Sequence, residues 1–123
     1  MNILVVDDEP QILELIEMFL RNCGHDVLMA ADGAQAVKLL EEQGDVDVIL
    51  SDLRMPKMDG LQLLEVVVER WQSVRFILMT GHGDQEVASS AVQRGACDCM
   101  KKPLRLADLR RRLAGFEPGT RAG

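Results

Sequence analysis

A chain of 123 residues that is 47% hydrophobic is the size of one domain with its own core. No apolar run nears the roughly 20 residues of a membrane-spanning helix, and the opening MNILVVDDEP lacks the basic head of a signal peptide, so a cytoplasmic protein with no membrane contact is expected. Residues 1–61 carry 4 Lys/Arg against 13 Asp/Glu, whereas residues 62–123 carry 10 against 7. The acidic first half argues against direct nucleic-acid binding by this domain, and gathered acids call for a cation.

In chain order, short apolar runs alternate with longer amphipathic ones. Ile3–Val6 is apolar throughout and predicts a strand buried on both faces. Ile12, Leu13, Ile16, Phe19 and Leu20 then recur at helical spacing, with Asp8 as a candidate cap, Pro10 in the first turn and Gly24 at the end. A weaker strand, Asp26–Ala31, leads to a helix over 33–43 that starts after Asp32 and stops at Gly44. Val48–Leu50 is the third strand, followed by a loop with Pro56 and Gly60 and a helix over 61–72. Phe76–Met79 is the fourth, and a helix over 84–94 with Val87, Ala88, Ala91 and Val92 inward closes at Gly95. Cys97–Lys101 is a weak fifth strand, and a helix over 106–114 should bury Leu106, Leu109 and Leu113. Five βα units predict a doubly wound α/β sheet over residues 1–114, with 115–123 as a flexible tail or linker.

In such sheets ligands bind outside the carboxyl ends of the strands. Strand one is followed by Asp7 and Asp8, strand three by Asp52, strand four by Thr80 and then Gly81-His82-Gly83, and strand five by Lys102-Pro103. If strands one and three are neighbours, three carboxylates converge with a hydroxyl and an ammonium nearby. Each acid alone could be a cap or a turn residue. Together they repel unless a cation joins them, and oxygen ligands of this kind suit Mg²⁺, with Mn²⁺ as an alternative. Lys101 and Lys102 should face opposite sides, leaving one in solvent. Cys23, Cys97 and Cys99 are an odd set better read as small buried hydrophobes than as a disulfide or zinc framework.

The segments VVDDEP, SDLRMPKMDG, MTGHGD and KKPL, in this order and at these strand ends, resemble the receiver domain of two-component response regulators over about residues 2–114. The resemblance implies a flavodoxin-like (βα)5 sheet in the order 2-1-3-4-5. It implies that Asp52 accepts a phosphoryl group from the phosphohistidine of a sensor histidine kinase or phosphotransfer protein. Asp7, Asp8, Asp52 and the Arg54 carbonyl would hold Mg²⁺, Thr80 and Lys102 would bind the phosphoryl oxygens, and the Lys102-Pro103 bond would be cis. Arg54 and His82 match positions that tune the phosphoryl lifetime. Thr80 and Cys99 match the switch pair, but Cys99 stands where the family usually carries an aromatic. Homodimer or effector contacts would use the fourth and fifth helices, the fifth being basic through Arg105, Arg110, Arg111 and Arg112. The protein would be a switch that phosphorylates and dephosphorylates itself rather than an enzyme acting on a free metabolite. Two alternatives stand beside this one: a degenerate receiver that binds its partner regardless of phosphorylation, and a small Mg²⁺-dependent aspartyl-phosphate phosphatase. The latter class commonly places D-x-D after its first strand, where this chain has adjacent acids.

Overall fold

A computed structural model of the chain describes residues 1–116. Its elements run β1 (Asn2–Val6), α1 (Pro10–Asn22), β2 (Asp26–Ala30), α2 (Gly33–Gln43), β3 (Val48–Asp52), α3 (Gly60–Arg70), β4 (Arg75–Thr80), α4 (Gln85–Gln93), β5 (Asp98–Lys101) and α5 (Leu106–Ala114). All strands are parallel in one sheet, ordered β2-β1-β3-β4-β5. The expected topology is therefore present.

The sheet divides the interior into two cores. Alternate side chains of a strand point to opposite faces. Leu4, Val6, Ile49, Phe76 and Leu78 accordingly pack with α2, α3 and α4. Ile3, Val5, Leu50, Ile77 and Met79 pack with Ile16 and Leu20 of α1 and Leu109 and Leu113 of α5. β3, in the middle, is buried along its whole length, which is why its sequence is apolar without alternation.

Local signals set the helix ends. Asp32 accepts from the Gln35 backbone N–H at 2.8 Å, and Gly44 ends α2 in the left-handed region at φ 67°. α3 opens on a capping box. Asp59 accepts from the Gln62 N–H at 2.9 Å, and the Gln62 side chain accepts from the Asp59 N–H at 3.0 Å. α1 departs from expectation at its start: Glu9, not Asp8, is its N-cap residue, and no side chain caps it. Pro10 already supplies a helical φ and lacks one of the unsatisfied N–H groups, so the helix can start without an Asp8 cap.

Other differences follow from helix phase and strand length. Val92 is 50% exposed rather than inward, because Ala91 takes the buried position and Val92 lies about 100° further round α4. Leu106, in the first turn of α5, is only half-buried. α3 ends at Arg70, with Trp71 as its C-cap, two residues before the expected end. Cys97 precedes β5 and is exposed, while Cys23 and Cys99 are half-buried. Phe116 packs beside the α1/α5 core under the Arg75 guanidinium, and the rest of the expected tail, 117–123, lies outside the described residues. Among the described residues no helix is long and apolar enough to cross a membrane.

Candidate functional site

The strand register builds the site. Val6 of β1 is opposite Ser51 of β3, so the next residues, Asp7 just past β1 and Asp52 at the last position of β3, stand at one level at the edge of the sheet. β1 lies between β2 and β3, and there the connections depart in opposite directions, opening the crevice. Asp7, Asp8 and Asp52 each bring a carboxylate oxygen within 4.8 Å of the others. Asp7 is fully buried, Asp52 nearly so, and Asp8 is exposed.

Lys102 reaches into this cluster from the end of β5. Its Nζ lies 2.9 Å from Asp7 Oδ2, 3.1 Å from Asp52 Oδ2 and 3.8 Å from Glu9 Oε1. Lys101 points away and is exposed, as strand alternation requires. The Lys102-Pro103 bond is cis, as expected. The other oxygen of Asp7 accepts from the Glu9 N–H at 3.0 Å, so this side chain is held from two directions.

Electrostatics here is unbalanced. Burial, reinforced by the charge of Asp7, pushes the Asp52 carboxyl above its ordinary pKa, and the contact with Lys102 offsets this only in part. Burial works against the charged Lys102, but hydrogen bonds to Asp7 and Asp52 outweigh it and raise its pKa. One ammonium thus faces three carboxylates. These are hard oxygen donors with more negative charge than the protein neutralises, a set that fits a small divalent cation.

A cavity of about 460 Å³ opens over Asp52, lined also by Asp8, Arg54, His82, Asp84 and Lys102. Arg54 follows β3, and His82 lies on the exposed rim of the cavity. Thr80 is buried at the end of β4, and its carbonyl accepts from the Lys102 N–H at 2.8 Å. Cys99 is not brought to the cavity. It packs beside the α2–α4 core, its thiol donating to the Ala88 carbonyl of α4 at 3.3 Å, and burial raises its pKa.

Sequence reasoning missed two contributors. In the sequence Asp84 opens the helix over 84–94 and ends the segment MTGHGD, with no role in the site. It is buried, accepts from Arg54 Nη2 at 2.7 Å and from the Gly81 N–H at 3.0 Å, and these contacts, Arg54 first, lower its pKa. The spacing of Gly81 and Asp84 in GHGD is the available signal, since an Asp three residues on can fold back on a turn. In the sequence Gly60 is a loop residue that ends the segment SDLRMPKMDG, with no contact to Asp52 indicated. A Cβ there would lie 2.4 Å from the Asp52 carbonyl oxygen and 2.9 Å from Leu53 Cα. The start of α3 therefore rests directly on the segment bearing Asp52, an approach only glycine permits.

Comparison with known proteins agrees with this geometry. A family model described as "Response regulator receiver domain" matches residues 3–114. The rice (Oryza sativa subsp. indica) two-component response regulator ORR24 is 38% identical over 111 residues, 89% of this chain, and ARR11 of Arabidopsis thaliana is 37% identical over 111. The chain spans only 18% and 21% of those proteins. Among solved structures, a response regulator receiver domain protein from Clostridium thermocellum superposes with a TM-score of 0.89 at 32% identity, covering 94% of this chain and 92% of that one. The Francisella response regulator 1452 receiver domain gives 0.87 at 27%, covering 98% of both. With its strand order, its acid cluster and its lysine all in place, the chain belongs to the response regulator receiver domain family.

Proposed function

We propose that residues 1–114 are a phosphorylation switch in which Asp52 accepts a phosphoryl group from a phosphohistidine of a histidine kinase or phosphotransfer protein, in the cytoplasm. The observation that carries this reading is the Lys102 ammonium held at 3.1 Å from Asp52 and 2.9 Å from Asp7 at the ends of neighbouring strands. An Asp52 oxygen forms the new O–P bond as the P–N bond breaks, and the bonding pair leaves with the imidazole. Asp52 is suited to this because its backbone is fixed by a fully buried strand. Lys102 is placed to hold phosphoryl oxygens as they approach, and the Thr80 hydroxyl is assigned the same task. Asp7, Asp8, Asp52 and the Arg54 carbonyl are the groups that would hold Mg²⁺, whose part when bound is to neutralise charge on the phosphoryl oxygens. The phosphoryl group carries about 1.5 to 2 negative charges in place of the single charge of the Asp52 carboxylate, so the cavity gains about 0.5 to 1 and the charge moves outward onto three oxygens, which redistributes the cations around it. The protein is then a switch modified by its own chemistry, not an enzyme turning over a free metabolite.

One observation favours a second reading. The switch position holds Cys99, bonded to α4 through its thiol, where an aromatic is usual, so partner binding independent of phosphorylation is the alternative. Intact mass after incubation with Mg²⁺ and acetyl phosphate separates the two, run on the parent and on Asp52→Ala. A Mg²⁺-dependent gain of one phosphoryl group in the parent alone is expected. No gain in a folded parent would overturn the switch and leave the binding module.

A further inference from the structure

Among the described residues, three helices have aspartate as the N-cap residue, and one of these aspartates does not cap. Asp32 and Asp59 adopt extended backbone and accept from the backbone N–H three residues on. Asp84 stands at the same place before α4, but its φ and ψ are −98° and 26° and its side chain accepts from no α4 N–H. One of its oxygens takes the Gly81 N–H and the other takes the Arg54 guanidinium, 30 residues away. Both partners of that ion pair line the cavity over Asp52, and the Arg54 side chain is 76% exposed beyond it.

We propose that Asp84 is a positioning residue for the chemistry at Asp52. Its carboxylate parks the Arg54 guanidinium on the α4 side of the cavity mouth until a phosphoryl group on Asp52 competes for it. The inference rests on the reading of Asp52 as phosphoacceptor. Arg54 is two residues from Asp52, so once Asp52 is modified the guanidinium has a second anion to choose, more highly charged and reaching further into the cavity than the carboxylate it replaces. The Asp84 carboxylate offers it one oxygen and a single charge. The phosphoryl group offers several oxygens in the geometry of the guanidinium fork and more charge. When Arg54 moves over, Asp84 regains a free oxygen and the first amides of α4 are its nearest donors, as at Asp32 and Asp59. The signal reaches α4 through a charge exchange that needs no aromatic at the Cys99 position.

Two substitutions test this without dismantling the site. Asp84→Asn keeps an acceptor for the Gly81 N–H but removes the charge that holds Arg54, and Arg54→Ala keeps its backbone carbonyl. Phosphoryl loss is followed by intact mass in the parent, both single variants and the double variant. A freed guanidinium stays on the phosphoryl oxygens and blocks the hydrolytic water, so Asp84→Asn should slow the loss by about threefold or more in the parent and leave it unchanged in Arg54→Ala. An equal effect in both backgrounds, or none in either, would overturn the proposal. Arg54→Ala alone should also slow hydrogen exchange at the first-turn amides of α4 before any phosphorylation, because Asp84 is released to cap them; unaltered exchange would count equally against it. A parent that gains no phosphoryl group would instead defeat the proposed function itself, an outcome distinct from gain followed by an unchanged rate of loss.

Discussion

Gly60→Ala sets two effects of opposite sign against each other. Alanine is the better helix residue, and replacing a helical glycine gains at most about 1 kcal/mol. The new methyl carbon, however, would stand 2.4 Å from the Asp52 carbonyl oxygen, 2.7 Å from Leu78 Cδ1 and 2.9 Å from Leu53 Cα. Ordinary contact begins near 3.4 Å, so the start of α3 must back away by about 1 Å from a strand that is buried throughout. Two of the three obstacles are backbone and cannot rotate aside. Overpacking of this kind costs about 3 kcal/mol, toward the upper end of its usual range. The net expectation is a loss of about 2 kcal/mol, or roughly 8 °C in the melting temperature at about 2 cal/mol/K of unfolding entropy per residue. Thermal melting followed by circular dichroism measures it. Gly44→Ala is the control, since nothing lies within 4 Å of its Cβ and only the positive φ of 67° opposes it, at about 1 kcal/mol. A Gly60→Ala protein that melts at or above the parent temperature would refute the close approach of α3 to the Asp52 segment.

Two further outcomes follow from the site and its frame. The folded state raises the pKa of Asp52, so in the absence of divalent cations the unfolded chain gives up that proton first as pH rises. Stability should therefore fall as pH climbs from the ordinary carboxyl pKa of 3.8 through the raised one. Asp52→Asn should remove this component, making the cation-free protein more stable than the parent to urea at pH 7, with the gap closing below pH 3.8. A parent more stable than Asp52→Asn at neutral pH would contradict the charge imbalance described above. At the other end of the same loop, Asp59→Ala deletes one half of the α3 capping box and should cost about 1 kcal/mol, read as a lower urea midpoint at unchanged slope.

The sheet was legible because its central strands are unbroken apolar runs, and a run buried on both faces has few other ways to fold. The acids and Lys102 were legible because each lies at the carboxyl end of a strand or within two residues of it, and parallel order alone brings such residues to one edge. What escaped depends on contacts that sequence spacing cannot encode. Asp84 and Arg54 are 30 residues apart, and nothing local distinguishes an aspartate that caps a helix from one that turns away to a guanidinium. The closeness of Gly60 to the Asp52 carbonyl arises only when α3 docks on the sheet. Val92 was misplaced for a simpler reason: a four-residue apolar set on a nine-residue helix is wider than the buried stripe, and Ala91 alone occupies its centre.

The division of the interior by the sheet has a consequence for how this domain can be altered. Leu4 and Val5 are chain neighbours, yet one belongs to the interior shared with α2, α3 and α4 and the other to that shared with α1 and α5. The two clusters have no member in common, and substitutions in different clusters that also lie more than about 7–10 Å apart add with little coupling. Repacking the domain is therefore two small combinatorial searches instead of one large one. A library varied on the α1/α5 side can be screened to completion while the other half stays fixed. The best solutions from the two halves can then be joined with little need for compensating changes across the sheet.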